Sequence, residues 1–375
     1  MEAINHNIEK ILVTSPLIPD LKDFIPYLEQ IWESKQLTNM GIFHEQLEKE
    51  LCNYMRAANL TLTSNGTLAL IIALRALRIS GEVITTPYSF VATTHSLWWN
   101  NIKPVFVDIE PETLTIDPKK IEAAITPATT AILPVHVYGN PCKTEEIQQL
   151  ADRYGLKVIY DAAHTFGAFL NGTPLTEYGD MSILSFHATK VFSTIEGGAV
   201  ISHHQKTKEQ LDYLKNFGYH DETTIINPGI NAKLNELQAA YGLATLKMVD
   251  KAIAARKKVA ETYRKALTDA RGIGLLPEVP GLQSNYAYFP VLVDEKEYGM
   301  SRDELYFKLR NNNIFVRRYF YPLISKFPIY WGMSSASPEN LPVAEKSASQ
   351  ILCLPIHQDL TEKNVSDVIN LILDK

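Results

Sequence analysis

Cysteine is scarce in this chain. Three thiols, Cys52, Cys142 and Cys353, are spread over 375 residues. None has the spacing of a zinc site or of a disulfide framework. An odd, sparse count fits a reducing compartment, with buried thiols as the ordinary outcome. Long apolar runs are missing too. Nothing approaches the roughly 20 apolar residues of a spanning helix. The longest candidate, residues 68–77, is interrupted by Arg75 and reads as a buried helix. The opening MEAINHNIEKILV carries charges throughout and has no apolar signal core. There is no excess of positive charge either. Lys and Arg number 36 against 42 Asp and Glu, for a net charge of −6. Bulk attraction to nucleic acid or an anionic membrane is therefore not expected. A small anion can still be held by local donors. Repeats and low-complexity segments are absent. These absences predict a soluble, cytoplasmic protein.

What is present is an alternation of elements. Residues 20–34 and 43–54 carry apolar side chains at helical spacing, with a turn at 37–41 between them. Residues 60–63 read as a short strand. It runs into Ser64-Asn65-Gly66-Thr67 and an apolar helix from Leu68. Strands follow at 82–85, 104–108, 130–134 and 157–161, with helices at 91–99, 118–125 and 143–154. Strands this uniformly apolar, joined by helices, predict an α/β fold with a mostly parallel sheet covered on both faces. In such sheets a ligand lies beyond the carboxyl ends of the strands. Residues 64–67, 85–90, 136–138 and 161–164 all fall at that edge.

Beyond residue 201 the chain grows more polar. Helices are expected at 206–217, 237–248 and 251–265, with an irregular loop at 218–230. The last third has shorter elements. They are strands at 287–293, 314–317 and 351–355, helices at 301–311, 344–350 and 362–373, and the aromatic loop Tyr319-Phe320-Tyr321-Pro322. The expected division is a large domain, residues 1–250 with the amino-terminal helices, and a small α+β domain, residues 251–375. The join falls within helical sequence, without a Gly/Pro linker.

Chemistry concentrates in residues 182–201, SILSFHATKVFSTIEGGAVI. This stretch places Lys190 between two core-type strands. Burial penalises an ammonium and lowers its pKa, and a neutral amine can attack a carbonyl. Taken alone, Lys190 also fits a solvated turn lysine. Asp161 ends an apolar strand, where a carboxylate needs a cation or donors. Taken alone, it also fits an Asp capping the next turn. The 64–67 turn at a helix start suits a phosphate, and equally an ordinary N-cap. The combination is more specific than its parts. A phosphate cradle, an aromatic at a strand end, a buried Asp and a lysine are what pyridoxal 5′-phosphate requires. Its phosphate needs donors, its ring an apolar face, its pyridinium nitrogen a carboxylate and its aldehyde an amine.

In order along the chain, NGTLAL, PYSFVATTHS, PVFVDIEPETLTIDP, ILPVHVYGNPC, DAAHTFGA, SFHATK…EGGAV and GINAKLNELQAA resemble the DegT/StrS family of nucleotide-sugar aminotransferases. The resemblance spans roughly residues 10–360. It implies the type I (aspartate aminotransferase-like) fold of PLP-dependent transferases. It implies Lys190 as the lysine that bonds the cofactor and shuttles the proton. Asp161 falls at the partner of the pyridinium nitrogen, Phe90 on the ring face, and His164 near the phenolic oxygen. Gly66, Thr67 and Ser185 fall at phosphate-binding positions. Asn231 stands where the family commonly has a GYN-type motif and reaches the phosphate of a neighbouring subunit. That implies an obligate homodimer with a shared active site.

Members that deoxygenate sugars carry His at the position of Lys190, so the lysine implies amino transfer. SFHATKVF and VRRYFYPL resemble the branch that aminates C4 of dTDP-4-dehydro-6-deoxy-D-glucose. L-Glutamate is then the donor, 2-oxoglutarate the by-product, and pyridoxamine 5′-phosphate the alternate cofactor form. Thr38, Asn39, Arg317, Tyr319 and Tyr321 are the candidate nucleotide-sugar contacts, since Arg suits a diphosphate and Tyr a base. No metal is implied. The alternatives are amination at C3 of a 3-keto sugar, a UDP- or GDP-linked substrate, and a non-catalytic regulator on the same fold. The presence of both Lys190 and Asp161 counts against the last. The family's products usually enter bacterial surface polysaccharides such as O-antigen.

Overall fold

A computed structural model describes residues 10–374; the charged amino-terminal stretch 1–9 lies outside the described residues. Seven strands build the main sheet: β1 (Asn59–Thr63), β2 (Glu82–Thr85), β3 (Lys103–Phe106), β4 (Thr129–Leu133), β5 (Lys157–Asp161), β6 (Met181–Ser185) and β7 (Gly198–Ser202). Their spatial order is β1-β7-β6-β5-β4-β2-β3. All neighbours pair in parallel except β7, which runs against both β1 and β6.

The sheet forms because its strands are apolar on both faces. Leu60, Leu62, Val83, Ile84, Ile132, Val158, Leu184 and Val200 are all fully buried. Burying one such side chain stabilises the fold by about 1.5–3 kcal/mol. Helices Gly66–Ala76 and Gln205–Leu214 cover one face around Leu70, Ile72 and Leu211. Toward β1 and β7, helices Ile42–Met55 and Glu236–Leu246 cover the other. The expected helix from Leu68 begins two residues earlier, so Gly66 and Thr67 form its first turn.

The antiparallel run of β7 positions the site. Because β1, β5 and β6 end at one edge and β7 starts there, the excursion from Ser185 to Gly198 leaves and re-enters at the same edge. Gly198 pairs with Ser185 on one side and Thr63 on the other. A Cβ on Gly198 would lie 2.6 Å from the Asn65 carbonyl carbon. Only glycine lets the β1 turn close over the start of β7.

The 19-residue helix Val249–Leu267 joins the sheet region to the rest. Its early residues Val249 and Ala252 pack into the core beside β1 and β7. Its later residues Val259, Tyr263 and Leu267 pack into a second core. That core holds an antiparallel sheet of Ile273–Leu275, Phe289–Val293 and Ile351–Leu354, with helices Arg302–Asn311 and Glu362–Leu373. At the other end of the chain, Ile11–Leu12 pairs in parallel with Ile314–Phe315 and adds Ile11 to this core. A hairpin of Phe169–Leu170 and Thr173–Pro174, extended by Leu282–Gln283, was not expected from the sequence. No described helix is long and apolar enough to cross a membrane. Nor do the described residues hold a cluster of three His, Cys, Asp or Glu able to bind a metal.

Candidate active site

A cavity of about 420 Å3 opens at the carboxyl edge of the sheet. Turns and strand ends from β1, β2, β4, β5 and β6 converge on it. Of the sequence-predicted residues, Gly66, Thr67, Phe90, Asp161, His164, Ser185, Lys190, Arg317 and Tyr319 line it.

Lys190 sits in the excursion after β6, half-buried, with Nζ 3.3 Å from Tyr288 Oη. Burial lowers its pKa to about 8, against a smaller opposing pull from Asp161. A good fraction of the amine is thus neutral near physiological pH.

Asp161 closes β5 and is 6% exposed. Its Oδ2 accepts from Thr93 Oγ1 at 2.6 Å and its Oδ1 from the Ala163 N–H at 3.2 Å. Thr93 Oγ1 is also 2.7 Å from Ser89 Oγ. With its own proton on the carboxylate, Thr93 accepts from Ser89. Burial raises the Asp161 pKa, and the Thr93 bond, the Ala163 bond and the Lys190 charge hold it down.

His164 follows on the same turn. Its Nδ1 accepts the Tyr138 backbone N–H at 3.0 Å. Burial, and then the Lys190 charge, push its pKa well down, so the ring is neutral. A neutral ring that accepts at Nδ1 carries its proton on Nε2. The Phe320 ring lies parallel to it at 6.1 Å.

The β1 turn supplies an anion cradle. Asn65 Oδ1 accepts the Leu68 N–H at 2.8 Å, and the first intrahelical bond runs from Ala69 N–H to the Asn65 carbonyl. The N–H groups of Gly66 and Thr67 precede both, at the positive end of the helix dipole. A Cβ on Gly66 would lie 3.0 Å from Ser185 Cβ and 3.3 Å from its Oγ. The glycine therefore keeps open the gap between the helix N-terminus and the Ser185 hydroxyl. Phe90 projects at the rim of the cavity and is 60% exposed.

Four sequence-predicted residues do not join the lining. Thr38 and Asn39 are exposed in the loop before helix Ile42–Met55. Asn231 is exposed and pairs with Asn216 in an isolated bridge. Tyr321 is turned elsewhere, its ring 4.5 Å from the Arg302 guanidinium and 5.3 Å from that of Arg318. The sequence reading did not assign Tyr288 and Phe320, which line the cavity, or Thr93, which supports Asp161 from behind it. Thr93 was findable. It stands three residues after Phe90, one helical turn on, within the PYSFVATTHS segment. Tyr288 gave no such signal, because an aromatic in AYFPVLV reads as core.

Comparison with known proteins places the chain in a family. A model of the DegT/DnrJ/EryC1/StrS aminotransferase family matches residues 20–373. The chain is 51% identical over 372 residues to the dTDP-4-amino-4,6-dideoxy-D-glucose transaminase of Escherichia coli, spanning 98% of this chain and 100% of that one. The solved structure of DesI with its TDP-sugar product superposes with a TM-score of 0.93 at 31% identity, covering 97% of this chain and 92% of that one. A putative sugar aminotransferase of Streptococcus pneumoniae in its PLP form shares the fold, with a TM-score of 0.87 at 23% identity over 96% and 97% of the two chains. A family model that runs almost from end to end, and a relative identical at half its positions, make the conclusion direct: the chain belongs to the DegT/DnrJ/EryC1/StrS aminotransferase family, on the type I fold of PLP-dependent transferases.

Proposed function

We propose that this aminotransferase moves the amino group of L-glutamate to C4 of dTDP-4-dehydro-6-deoxy-D-glucose. The products are dTDP-4-amino-4,6-dideoxy-D-glucose and 2-oxoglutarate. The observation that carries amino transfer is the meeting of Lys190, Asp161 and the Gly66–Thr67 turn in one cavity. The choice of sugar and carbon is supported by the 51% identity to the E. coli transaminase.

The residues present fit pyridoxal 5′-phosphate, and its pyridoxamine form in turnover. The Gly66 and Thr67 N–H groups and the Ser185 hydroxyl suit a phosphate, in a gap that a Cβ on Gly66 would fill. Asp161, its pKa raised by burial and partly restrained by the Thr93 and Ala163 bonds, suits a protonated ring nitrogen whose charge favours the carboxylate. When bound, the cofactor supplies an electron sink for the carbon that carries the nitrogen. The chain's own residues do the rest. Lys190 would take a proton at Nζ from Cα of the amino donor and pass it to the cofactor carbon that bears the same nitrogen, which its lowered pKa makes feasible near neutrality. Phe90 offers an aromatic face at the rim. His164 lines the same cavity, at the position that the family resemblance places near the phenolic oxygen. Arg317 and Tyr319, in the same lining, suit the diphosphate and the base.

Three further parts belong to the same proposal. Phe90 and Asn231 stay exposed in one chain, which supports a homodimer in which Asn231 completes the neighbour's site. Thr38, Asn39 and Tyr321 then act on the nucleotide sugar from outside the single-chain cavity. The chain divides into a large and a small domain within Val249–Leu267, and works in the cytoplasm on the way to a surface polysaccharide. The test is direct. The protein is incubated with glutamate and the dTDP-keto sugar, and NMR of the product locates the new C–N bond. Nitrogen at C4 is expected; nitrogen only at C3 overturns the assignment.

A further inference from the structure

Lys190 Nζ lies 3.3 Å from Tyr288 Oη, and that oxygen lies 3.3 Å from His164 Nε2. The direction of these contacts is set at their far end. His164 Nδ1 accepts the Tyr138 N–H, so the neutral ring can only donate at Nε2. That N–H occupies one lone pair of Tyr288 Oη. Burial raises the Tyr288 pKa, so the hydroxyl keeps its own proton. The remaining hydrogen-bond neighbour of that proton is Lys190 Nζ. A charged Lys190 would donate to the second lone pair of Oη and leave the hydroxyl proton without an acceptor among the described residues, whereas a neutral amine has the lone pair with which to accept that proton.

We propose that Tyr288 is a positioning residue for Lys190, its hydroxyl proton aimed by the Nε2–H tautomer of His164 at the lysine's nitrogen. This rests on Lys190 being the cofactor lysine and deepens that reading. The free amine is held as a base in one place, ready to take a proton, and is not left as a mobile ammonium. The other charged or titratable groups facing Tyr288 are Asp161, Arg256, Cys353, Tyr138 and Tyr319. Asp161 works against the effect by favouring the ammonium.

The test uses the full-length protein freed of cofactor, as the parent and as Tyr288→Phe. Both are pulsed with formaldehyde and cyanoborohydride from pH 6 to 10.5, and methylation of the Lys190 peptide is read by mass spectrometry. Loss of one hydrogen bond to the neutral amine raises the midpoint by about half a unit to one unit. Labelling of Lys190 at pH 7.5 then falls about three- to tenfold. Tyr288→Gln, which restores an N–H donor, brings the midpoint back toward the parent's. A purely packing role moves Gln further than Phe. Nitrogen-15 NMR of the histidines is the second readout, expected to show His164 neutral and protonated on Nε2 from pH 6 to 9. A Tyr288→Phe midpoint unchanged or lowered, or a proton on Nδ1, overturns the proposal. If Lys190 were not the cofactor lysine, borohydride mapping of the loaded protein would miss it while these midpoints still moved, so the two failures are separable.

Discussion

Replacing Lys190 with methionine removes an amine of similar length whose charge the fold disfavours. The lysine's pKa falls from 10.5 to about 8 on burial. A basic group depressed in the folded state costs stability fully below its folded pKa and nothing above its unfolded one. Each pKa unit is worth about 1.4 kcal/mol, so the full cost is about 3 kcal/mol. Between pH 8 and 10.5 the unfolded chain holds a proton that the folded chain has lost. The parent therefore gains stability with rising pH across that window, and Lys190→Met does not. Urea unfolding of both cofactor-free proteins, at equal concentration so that association is constant, measures the difference at pH 8, 9 and 10.5. The advantage of Lys190→Met over the parent is expected to shrink by about 3 kcal/mol across the window. The window lies far above the carboxylate range, so Asp161 does not contribute to the change. A difference that stays constant with pH refutes the claim that Lys190 is held in a site hostile to its charge.

Two further outcomes follow from contacts at the cavity. Gly66→Ala puts a Cβ 3.0 Å from Ser185 Cβ. Overpacking of this kind costs about 1–3 kcal/mol, so the dissociation constant for pyridoxal 5′-phosphate, read by absorbance titration, is expected to rise about tenfold or more; unchanged affinity counts against the cradle. Thr93→Val removes the 2.6 Å bond to Asp161 Oδ2, a bond to a charged group worth about 1.5–3 kcal/mol. The bond lowers the Asp161 pKa, so its loss moves the acid limb of the kcat profile to higher pH; a limb that stays in place contradicts the role given to Thr93.

Much of the architecture was legible because the strands of the main sheet are apolar on both faces, and periodicity reports that directly. The same logic places residues 64–67, 85–90, 136–138 and 161–164 at one edge of the sheet, and Lys190 enters between two apolar strands. What was lost follows from the nature of the signal. Tyr288 belongs to an apolar run, and its hydroxyl meets Lys190 only because the Asn285–Tyr288 segment crosses to the end of β5. Asn285 makes that crossing, donating to the His164 and Phe166 carbonyls, a long-range contact that no local pattern carries. The hairpin at Phe169–Leu170 does carry a local signal. Asn171 and Gly172 both adopt positive φ, 51° and 83°, which is what an Asn-Gly pair in a tight hairpin turn provides. Tyr321 was grouped with Tyr319 by adjacency in sequence, yet the two side chains diverge, one toward the cavity and one onto Arg302 and Arg318.

The central claim is that one lysine of this chain carries the chemistry. Loading the full-length protein with pyridoxal 5′-phosphate, reducing it with borohydride and mapping the digest by mass spectrometry tests that claim most directly. The account predicts a phosphopyridoxyl group on Lys190, together with loss of the visible absorbance band. A label on any other lysine, or no label in saturated protein, contradicts it.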